Sequence, residues 1–260
     1  MTARVPADDT ITSSASIRLP KAAELVAKRL RKQVITGEIK EGETFPNESQ
    51  LSAELEVSRP TVREAMRILE AEGLVYVRRG IGGGARALRP SVATAARYAG
   101  SVLQYEDVTL SDVFEVRAIL ETAALGMLVA RADDELMIAK LQQALDDEAA
   151  ALNDHAGLTR AEGSFHRAVV EVAGNRSLSL FCSIVNHVVA LQTSRVMTKA
   201  DADDVARQRA QTAHRAHKRL LTHIMAGDMQ KAEQLWTRHL EGGRDYLLAD
   251  PTAKSVLDLL

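Results

Sequence analysis

The sequence predicts a mostly α-helical protein of two domains, the first of which carries a small β-hairpin. At 260 residues the chain exceeds one typical domain of roughly 100–200 residues. Hydrophobic residues make up 46% of the chain and aromatic residues only 3%, a composition typical of helical proteins rather than β-sandwiches. Beyond residue 110, apolar residues recur at helical spacing without an alternating strand pattern.

Cysteine usage and the distribution of apolar residues indicate a soluble protein of a reducing compartment. The single cysteine, Cys182, cannot form a disulfide within the chain. Residues 1–16 lack the apolar core of a signal peptide, and no apolar run approaches the roughly 20 residues that span a bilayer. We therefore expect a cytoplasmic protein without a membrane partner.

Charge is unevenly distributed, although the formal net charge is only −2. Residues 59–89 contain seven arginines and three glutamates, whereas all seven histidines lie beyond residue 150. A local basic segment on an acidic protein indicates contact with a polyanion. The two parts of the chain are thus expected to carry different chemistry.

The first domain is predicted to span residues 19–90, after a polar and aperiodic arm at residues 1–18. Its first helix begins the domain, has one apolar face and ends at Gly37. A second, short helix follows Asn47, whose spacing from Gln50 matches a capping box. The predicted apolar face of the first helix consists of Ala23, Val26, Ala27, Leu30 and Val34.

A tight turn, a third helix and a hairpin follow. Ser58 is placed to cap this helix, Pro60 lies in its first turn, where a missing N–H costs nothing, and Gly73 ends it. The segments "LVYV" and "ARAL" have strand character and flank the run "RRGIGGG", so they predict a β-hairpin. A nucleotide-binding loop is disfavoured, because the glycine spacing matches neither a P-loop nor a dinucleotide fingerprint and Pro90 prevents a helix soon after.

This order of helices and hairpin is that of a winged helix-turn-helix. In such domains the start of the last helix reads base edges in the major groove, while the wing follows the backbone. Double-stranded DNA is therefore the predicted partner. Alternatively, Arg63 and Arg67 are solvated helix charges paired with Glu64 or Glu70. The predicted DNA contacts are Ser58, Arg59, Thr61, Arg63, Arg78, Arg79 and Gly80.

The segment from "ITGEIKEGETFPNESQ" through "VSRPTVREA" to "RRGIGGGARA" closely resembles the DNA-binding domain of the GntR family of bacterial transcription regulators. The resemblance covers roughly residues 20–88. Many relatives have Arg where this chain has Ser49, which implies that a phosphate or base contact is weakened or lost there. The DNA contacts that the resemblance supports by position are Ser58, Arg59, Thr61, Arg63, Arg79 and Gly80.

The second domain is predicted to be an all-helical bundle at residues 109–248 that binds a ligand and dimerises. Six amphipathic segments without an intervening strand pattern indicate the bundle. Residues 91–108 are expected to link the two domains, and residues 249–260 to form a C-terminal tail.

Three histidines and one glutamate of this bundle form a candidate metal site. Taken alone, each histidine is more often a hydrogen-bonded core residue than a ligand. Jointly they favour a metal, because several buried imidazoles without partners would cost roughly 1–3 kcal/mol each. Zinc suits such a nitrogen and oxygen donor set, with nickel or manganese as alternatives. The residues, which lie on the apolar stripes of three helices, are Glu162, His166, His217 and His239.

The bundle also resembles the helical effector-binding domain, called FCD, of the FadR subfamily of GntR regulators. In that family an Asp and three His often hold a divalent metal. The segments "EGSFH", "HKRLLTHIMAGD" and "TRHL" match the family's pattern. Glu162 replaces the family's Asp, and its extra methylene moves the carboxylate outward, which affects metal identity, affinity or denticity.

Arg117 and His214 are the predicted effector contacts. Arg117 lies on the apolar stripe of its helix, and a buried guanidinium needs an anion, which a small organic acid near the metal would supply. Glu121, four residues later, is the alternative partner of Arg117. His214 lies one turn before His217 and is placed to line the same cavity.

These observations predict a homodimeric DNA-binding regulator, most simply a repressor, that recognises a palindromic operator and responds to a small carboxylate bound near a metal. One alternative is the same regulator without a metal, whose cavity takes a larger acyl or hydrophobic ligand. A second is a metal-dependent hydrolase, which is disfavoured because the H-E-x-x-H signature is absent from the sequence. We therefore expect that the protein is not an enzyme.

Overall fold

The computed structural model of the chain describes residues 22–78, 80, 83–152, 158–197 and 203–249. The chain divides into two compact units, with the boundary between Pro90 and Ser91. The expected N-terminal arm and residues 250–260 of the expected tail lie outside the described residues. No helix in the described ranges is long and apolar enough to cross a membrane.

The N-terminal unit contains the predicted helices and hairpin in the predicted order. The two strands pair antiparallel, with Val75 opposite Ala87. A bridge between Thr44 and Arg86 attaches the segment after the first helix to the hairpin. The elements are α1 (Ala22–Thr36), α2 (Glu48–Glu54), α3 (Arg59–Ala71), β1 (Val75–Arg78) and β2 (Gly84–Ala87).

The helix caps of this unit confirm the prediction from the sequence. The Asn47 side chain accepts hydrogen bonds from two backbone N–H groups at the start of α2, and the Gln50 side chain accepts from the Asn47 N–H, which completes the capping box. Ser58 caps α3 by accepting from the Thr61 N–H. These caps satisfy backbone donors that a helix leaves unpaired at its first turn.

The apolar faces of α1, α2 and α3 meet the hairpin in one core. Leu30 of α1, Leu51 of α2, Val62 of α3 and Val75 of β1 are all buried there. All five residues predicted for the α1 face are buried, which confirms that face. This packing orients α3 so that its first turn remains at the surface.

The C-terminal unit is helical throughout its described residues. Helices α5 to α10 are the six helices predicted from the sequence. The side chains of residues 158–162, 192–197 and 203–206 lie outside the described part of the structure. The helices are α4 (Val92–Tyr105), α5 (Leu110–Val129), α6 (Glu135–Ala151), α7 (Leu158–Val172), α8 (Arg176–Met197), α9 (Asp203–Met225) and α10 (Met229–Ala249).

Residues 91–108, which we expected to be a linker, consist mostly of helix α4. Ser91 caps α4 by accepting from the Thr94 N–H. Ala96 is fully buried, and Leu103 packs against a small cluster that includes Val188 of α8. A short apolar stripe packs this segment into the helical unit, although the sequence predicted a linker there.

The main core of the helical unit lies where helices α5 to α10 meet. Its fully buried members include Leu125, Leu141, Phe165, Leu220 and Trp236. Burial of an apolar side chain of this size contributes about 1.5–3 kcal/mol. The same packing brings several polar side chains of these helices into the interior, and they form the candidate site described next.

Candidate metal centre and nucleic-acid interface

The predicted DNA contacts at the start of α3 lie at the surface. Ser58, Arg59 and Arg63 are exposed, and Thr61 is half-buried. The Ser58 and Thr61 hydroxyl oxygens are 2.8 Å apart and hydrogen-bond to each other, while Ser58 also caps the helix. Both hydroxyls therefore help to fix the N-terminal end of α3, where Arg59 and Arg63 lie.

Two arginines of α3 form ion pairs with glutamates. Arg67 Nη1 lies 3.5 Å from Glu64 Oε2, which is one of the partners that the alternative interpretation predicted. Arg63 Nε instead pairs with Glu48 of α2, whose Oε2 lies 3.6 Å away. All four side chains are largely solvent-exposed, so these pairs are weak and open to exchange for a phosphate.

The wing has an exposed arginine and a turn that requires glycine. Arg78, at the end of β1, is exposed. Gly80 has a φ of 98°, a conformation that favours glycine. A Cβ at Gly83 would collide with the carbonyl oxygen of Arg78, so a larger residue does not fit there. Arg79, also predicted to contact DNA, lies outside the described residues.

Three predicted ligands converge inside the helical unit. His166 of α7, His217 of α9 and His239 of α10 each offer one ring nitrogen, and these atoms lie within 4.8 Å of one another. His239 Nε2 is 3.1 Å from His166 Nε2 and 3.0 Å from His217 Nε2. His166 and His217 are buried, and His239 is half-buried.

Two buried carboxylates orient two of these rings. Glu121 Oε2 of α5 accepts a hydrogen bond from His166 Nδ1 over 2.8 Å. Glu148 Oε1 of α6 accepts one from His217 Nδ1, also over 2.8 Å. A neutral ring that donates from Nδ1 keeps its lone pair on Nε2. Metal-ligating histidines are commonly held in this way by a carboxylate behind the ring.

The donor set fits a divalent cation. When neutral, His239 can donate an Nε2 proton to only one of its two neighbours, so at least one Nε2 lone pair about 3 Å away is left without a hydrogen-bond donor from the triad. A cation among the three nitrogens would coordinate these lone pairs. Three imidazole nitrogens are a donor set that suits zinc.

Burial favours the neutral form of His166 and His239, which is the form that a metal requires. Desolvation lowers the pKa of His166, although the adjacent Glu121 opposes this effect. Desolvation and the other two histidines lower the pKa of His239. Burial opposes ionisation of Glu121, but the Arg117 charge and the contact with His166 outweigh it and lower its pKa to about 2. Neutral rings therefore lie beside an ionised carboxylate.

The remaining predicted site residues contact these carboxylates. Arg117 Nε donates to Glu121 Oε1 over 2.8 Å. Glu121 is the partner that the sequence offered for Arg117 as the alternative to an effector anion. His214 is half-buried, and its Nδ1 lies 2.8 Å from Glu148 Oε2. The Glu162 side chain lies outside the described residues. The structure thus brings Arg117 and His214 next to the triad, each through a carboxylate.

Two residues of this region were missed by the sequence analysis. Glu148 follows Leu141 and Leu145 at helical spacing, so its place on an apolar stripe was a usable signal. Arg209 of α9 stacks on the Tyr246 ring, with its guanidinium carbon 3.4 Å from the ring centroid. No local pattern marks that pair, because it joins two helices.

Comparison with known proteins identifies the family. Residues 22–83 match the family described as bacterial regulatory proteins, gntR family, and residues 112–242 match the FCD domain. The HTH-type transcriptional repressor NanR of Salmonella newport (strain SL254) is 28% identical over 231 residues, which cover 85% of this chain and 83% of that protein. NanR of Salmonella arizonae is also 28% identical, over 85% of this chain and 82% of its own length.

A solved structure, Streptococcus agalactiae GntR, shares the fold. Its TM-score is 0.62 at 22% sequence identity, and the match covers 86% of this chain and 99% of that chain. These matches are with regulators rather than enzymes. Two successive domain matches, in the order predicted from the sequence, define the architecture, and the chain belongs to the GntR family of bacterial regulatory proteins with an FCD domain.

Proposed function

We propose that the protein is a sequence-specific, DNA-binding transcriptional repressor whose operator affinity is controlled by a small organic acid bound beside a metal in the FCD domain. The observation that carries this proposal is the convergence of three imidazole nitrogens within 4.8 Å in the helical unit. The exposed start of α3 in the other unit supports the DNA-binding part.

In this proposal, Arg59 and Arg63 reach base edges in the major groove, since arginine reads guanine with two hydrogen bonds. Ser58 and Thr61 lie at the same end of α3 and contact the DNA phosphate backbone or a base edge. The wing contacts phosphates through Arg78, Arg79 and the backbone at Gly80. The protein acts as a homodimer in the cytoplasm, so that two copies of α3 bind the half-sites of a palindromic operator.

The proposed metal is zinc, with nickel or manganese as alternatives. His166, His217 and His239 hold it, and Glu162, one turn before His166 on α7, supplies a carboxylate. When bound, the ion would supply a positive charge that attracts an anion. The carboxylates behind His166 and His217 keep these rings oriented toward that ion.

The effector is proposed to be a small carboxylate that binds between the metal and nearby cationic groups. Arg117 and His214 are the proposed contacts. Arg209, stacked on Tyr246, adds a guanidinium that makes no ion pair with the residues whose side chains are described. Effector binding releases or strengthens DNA binding only if the effector prefers one dimer geometry over another.

Substitution of two arginines separates base reading from backbone contact. Arg59→Ala is expected to remove the preference for DNA from the protein's own promoter region over scrambled duplex, because it removes a base contact. Arg78→Ala is expected to weaken binding to all duplexes about equally and to lower the salt slope by about one. Mobility shifts at several salt concentrations measure both effects.

The matched control is Arg238→Ala, which removes the same charge from the exposed face of α10. It should leave both DNA preference and salt slope as in the unsubstituted protein. The DNA-binding proposal fails if Arg59→Ala and Arg78→Ala both retain specific binding with the original salt dependence.

A further inference from the structure

We infer that Glu148 is a positioning residue of the metal centre, which orients His217 toward the ion and supplies negative charge that the metal balances. The inference rests on the metal site proposed above. Glu148 belongs to α6, a helix that contributes none of the proposed ligands. Its role is therefore distinct from coordination.

Both oxygens of Glu148 are used by histidines of α9. Oε1 lies 2.8 Å and Oε2 3.1 Å from His217 Nδ1, and Oε2 also lies 2.8 Å from His214 Nδ1. Glu148 is 1% exposed, so water does not compete for these bonds. One carboxylate thus holds two rings one turn apart, and His214 in turn restricts the position of the carboxylate.

This contact determines which nitrogen of His217 faces the triad. A proton on Nδ1, held by Glu148, leaves the lone pair on Nε2. That Nε2 is the atom 3.0 Å from His239 Nε2. Phe165 stacks on the His217 ring, with centroids 4.4 Å apart, and limits its tilt. The ring therefore presents a lone pair to the metal position in a fixed direction.

The charge around Glu148 differs from that around the other buried carboxylate. Glu121 contacts the Arg117 guanidinium over 2.8 Å, so a permanent cation balances it. Glu148 pairs with the imidazoles of His214 and His217, and no lysine or arginine whose side chain is described pairs with it. An ionised carboxylate buried without a permanent cation is unfavourable. A divalent ion on the opposite edge of the His217 ring offsets its charge.

Replacing Glu148 by Gln and replacing Glu121 by Gln are therefore expected to have different effects on the stability of the metal-free protein. Glu148→Gln removes a buried charge that only the metal balances, and the amide oxygen still accepts from one ring. The metal-free protein should keep its stability or gain some, while zinc binding weakens roughly 10–100-fold. Glu121→Gln instead leaves the Arg117 charge buried without its partner, so it should destabilise the metal-free protein as well.

The experiment uses the full chain, stripped of metal. Zinc affinity is measured by competition with a chromophoric chelator for the unsubstituted protein, Glu148→Gln and His217→Ala. Urea unfolding of the metal-free forms is followed by the fluorescence of Trp236, the single tryptophan, which packs against His166 and His239. Asp147→Asn is the matched control, since this exposed neighbour on α6 makes the same charge change and its side chain accepts a hydrogen bond from Gln143.

The expected result is weaker zinc binding in Glu148→Gln, unchanged binding in Asp147→Asn and no loss of metal-free stability in either. Zinc affinity within twofold of the unsubstituted protein overturns the role of Glu148 alone. Equal destabilisation of the metal-free and zinc-bound forms also overturns it, since that result indicates a structural role. An unsubstituted protein that binds no zinc, or a His217→Ala variant that binds it normally, overturns the metal proposal itself.

If Glu148→Gln does not fold, the variant Glu148→Asp provides a second test of the role of Glu148. Aspartate keeps the charge but is one methylene shorter, so it cannot reach both rings with the same geometry. Its zinc affinity should lie between those of the unsubstituted protein and His217→Ala. Zinc affinity equal to that of the unsubstituted protein contradicts the requirement for the Glu148 geometry.

Discussion

At the scale of single residues, burial decides the chemistry of the helical domain. Cys182 of α8 is fully buried in the main core. Burial raises the pKa of its thiol to about 12, and the nearby Glu121 charge adds to this effect while Arg117 opposes it. The thiol is therefore protonated at any physiological pH. Cys182 takes no part in the proposed nitrogen-rich metal site, although thiolates are common zinc ligands.

Cys182 is expected to resist alkylation in the folded protein. A thiol whose pKa is about 12 forms almost no thiolate between pH 7 and pH 9, and the thiolate is the reactive form. Iodoacetamide should therefore label Cys182 at a small fraction of the rate measured for glutathione in the same tube. In urea, the rate at which Cys182 is labelled should equal that of glutathione. Mass spectrometry measures both rates. Rapid labelling of the folded protein contradicts the burial of Cys182.

At the scale of elements, short helices depend on their caps and on what they pack against. Helix α2 has only seven residues, too few for an isolated helix to be stable in water. The Asn47 capping box and the burial of Leu51 hold it in place. Because Glu48 of α2 pairs with Arg63 of α3, the stability of α2 also affects the surface proposed to contact DNA.

Asn47→Ala is expected to destabilise α2 by about 1 kcal/mol, because it removes the side-chain acceptor of the capping box. Amide hydrogen exchange of the α2 peptide, measured by mass spectrometry, should then be faster, while exchange in α5 stays unchanged. The control is Asn47→Asp, which retains an acceptor oxygen. In this variant the amides of the α2 peptide should exchange at the same rate as in the unsubstituted protein. Equal exchange in Asn47→Ala would show that packing alone maintains α2.

At the scale of the whole molecule, two compact units separate the two proposed activities. The surface proposed to bind DNA belongs to the first unit, and the histidine triad belongs to the second. A ligand that binds only the folded form of one unit stabilises that unit by mass action. Zinc should therefore have a local effect on stability, and its influence on DNA binding has to pass through the arrangement of the units or of two copies.

Zinc is expected to stabilise the helical domain in particular. At a free concentration of 100 times its dissociation constant, it should add about 2.7 kcal/mol to the free energy of unfolding. Urea unfolding followed by Trp236 reports on this domain, and hydrogen exchange of α1 and α3 reports on the other. Chelator should reverse the gain. Equal stabilisation of both domains contradicts separate units, and no stabilisation of either contradicts the metal site.

The sequence predicted the elements better than the site. Caps at Asn47 and Ser58 and the apolar face of α1 involve neighbours in the chain, and all were confirmed. The metal ligands were predicted as inward-facing because they lie on apolar stripes, and the structure brings His166, His217 and His239 together. Helix α4 was missed, since its apolar stripe is short.

The amino-acid sequence by itself determined the caps at Asn47 and Ser58 and the apolar face of α1, because these depend on residues within a few positions of each other. Its motifs also determined the family to which the chain belongs. Only the tertiary structure decided which atoms meet. His217 meets Glu148 across 69 positions and His166 meets His239 across 73. Such contacts depend on how six helices pack around one core, a property that no local pattern contains.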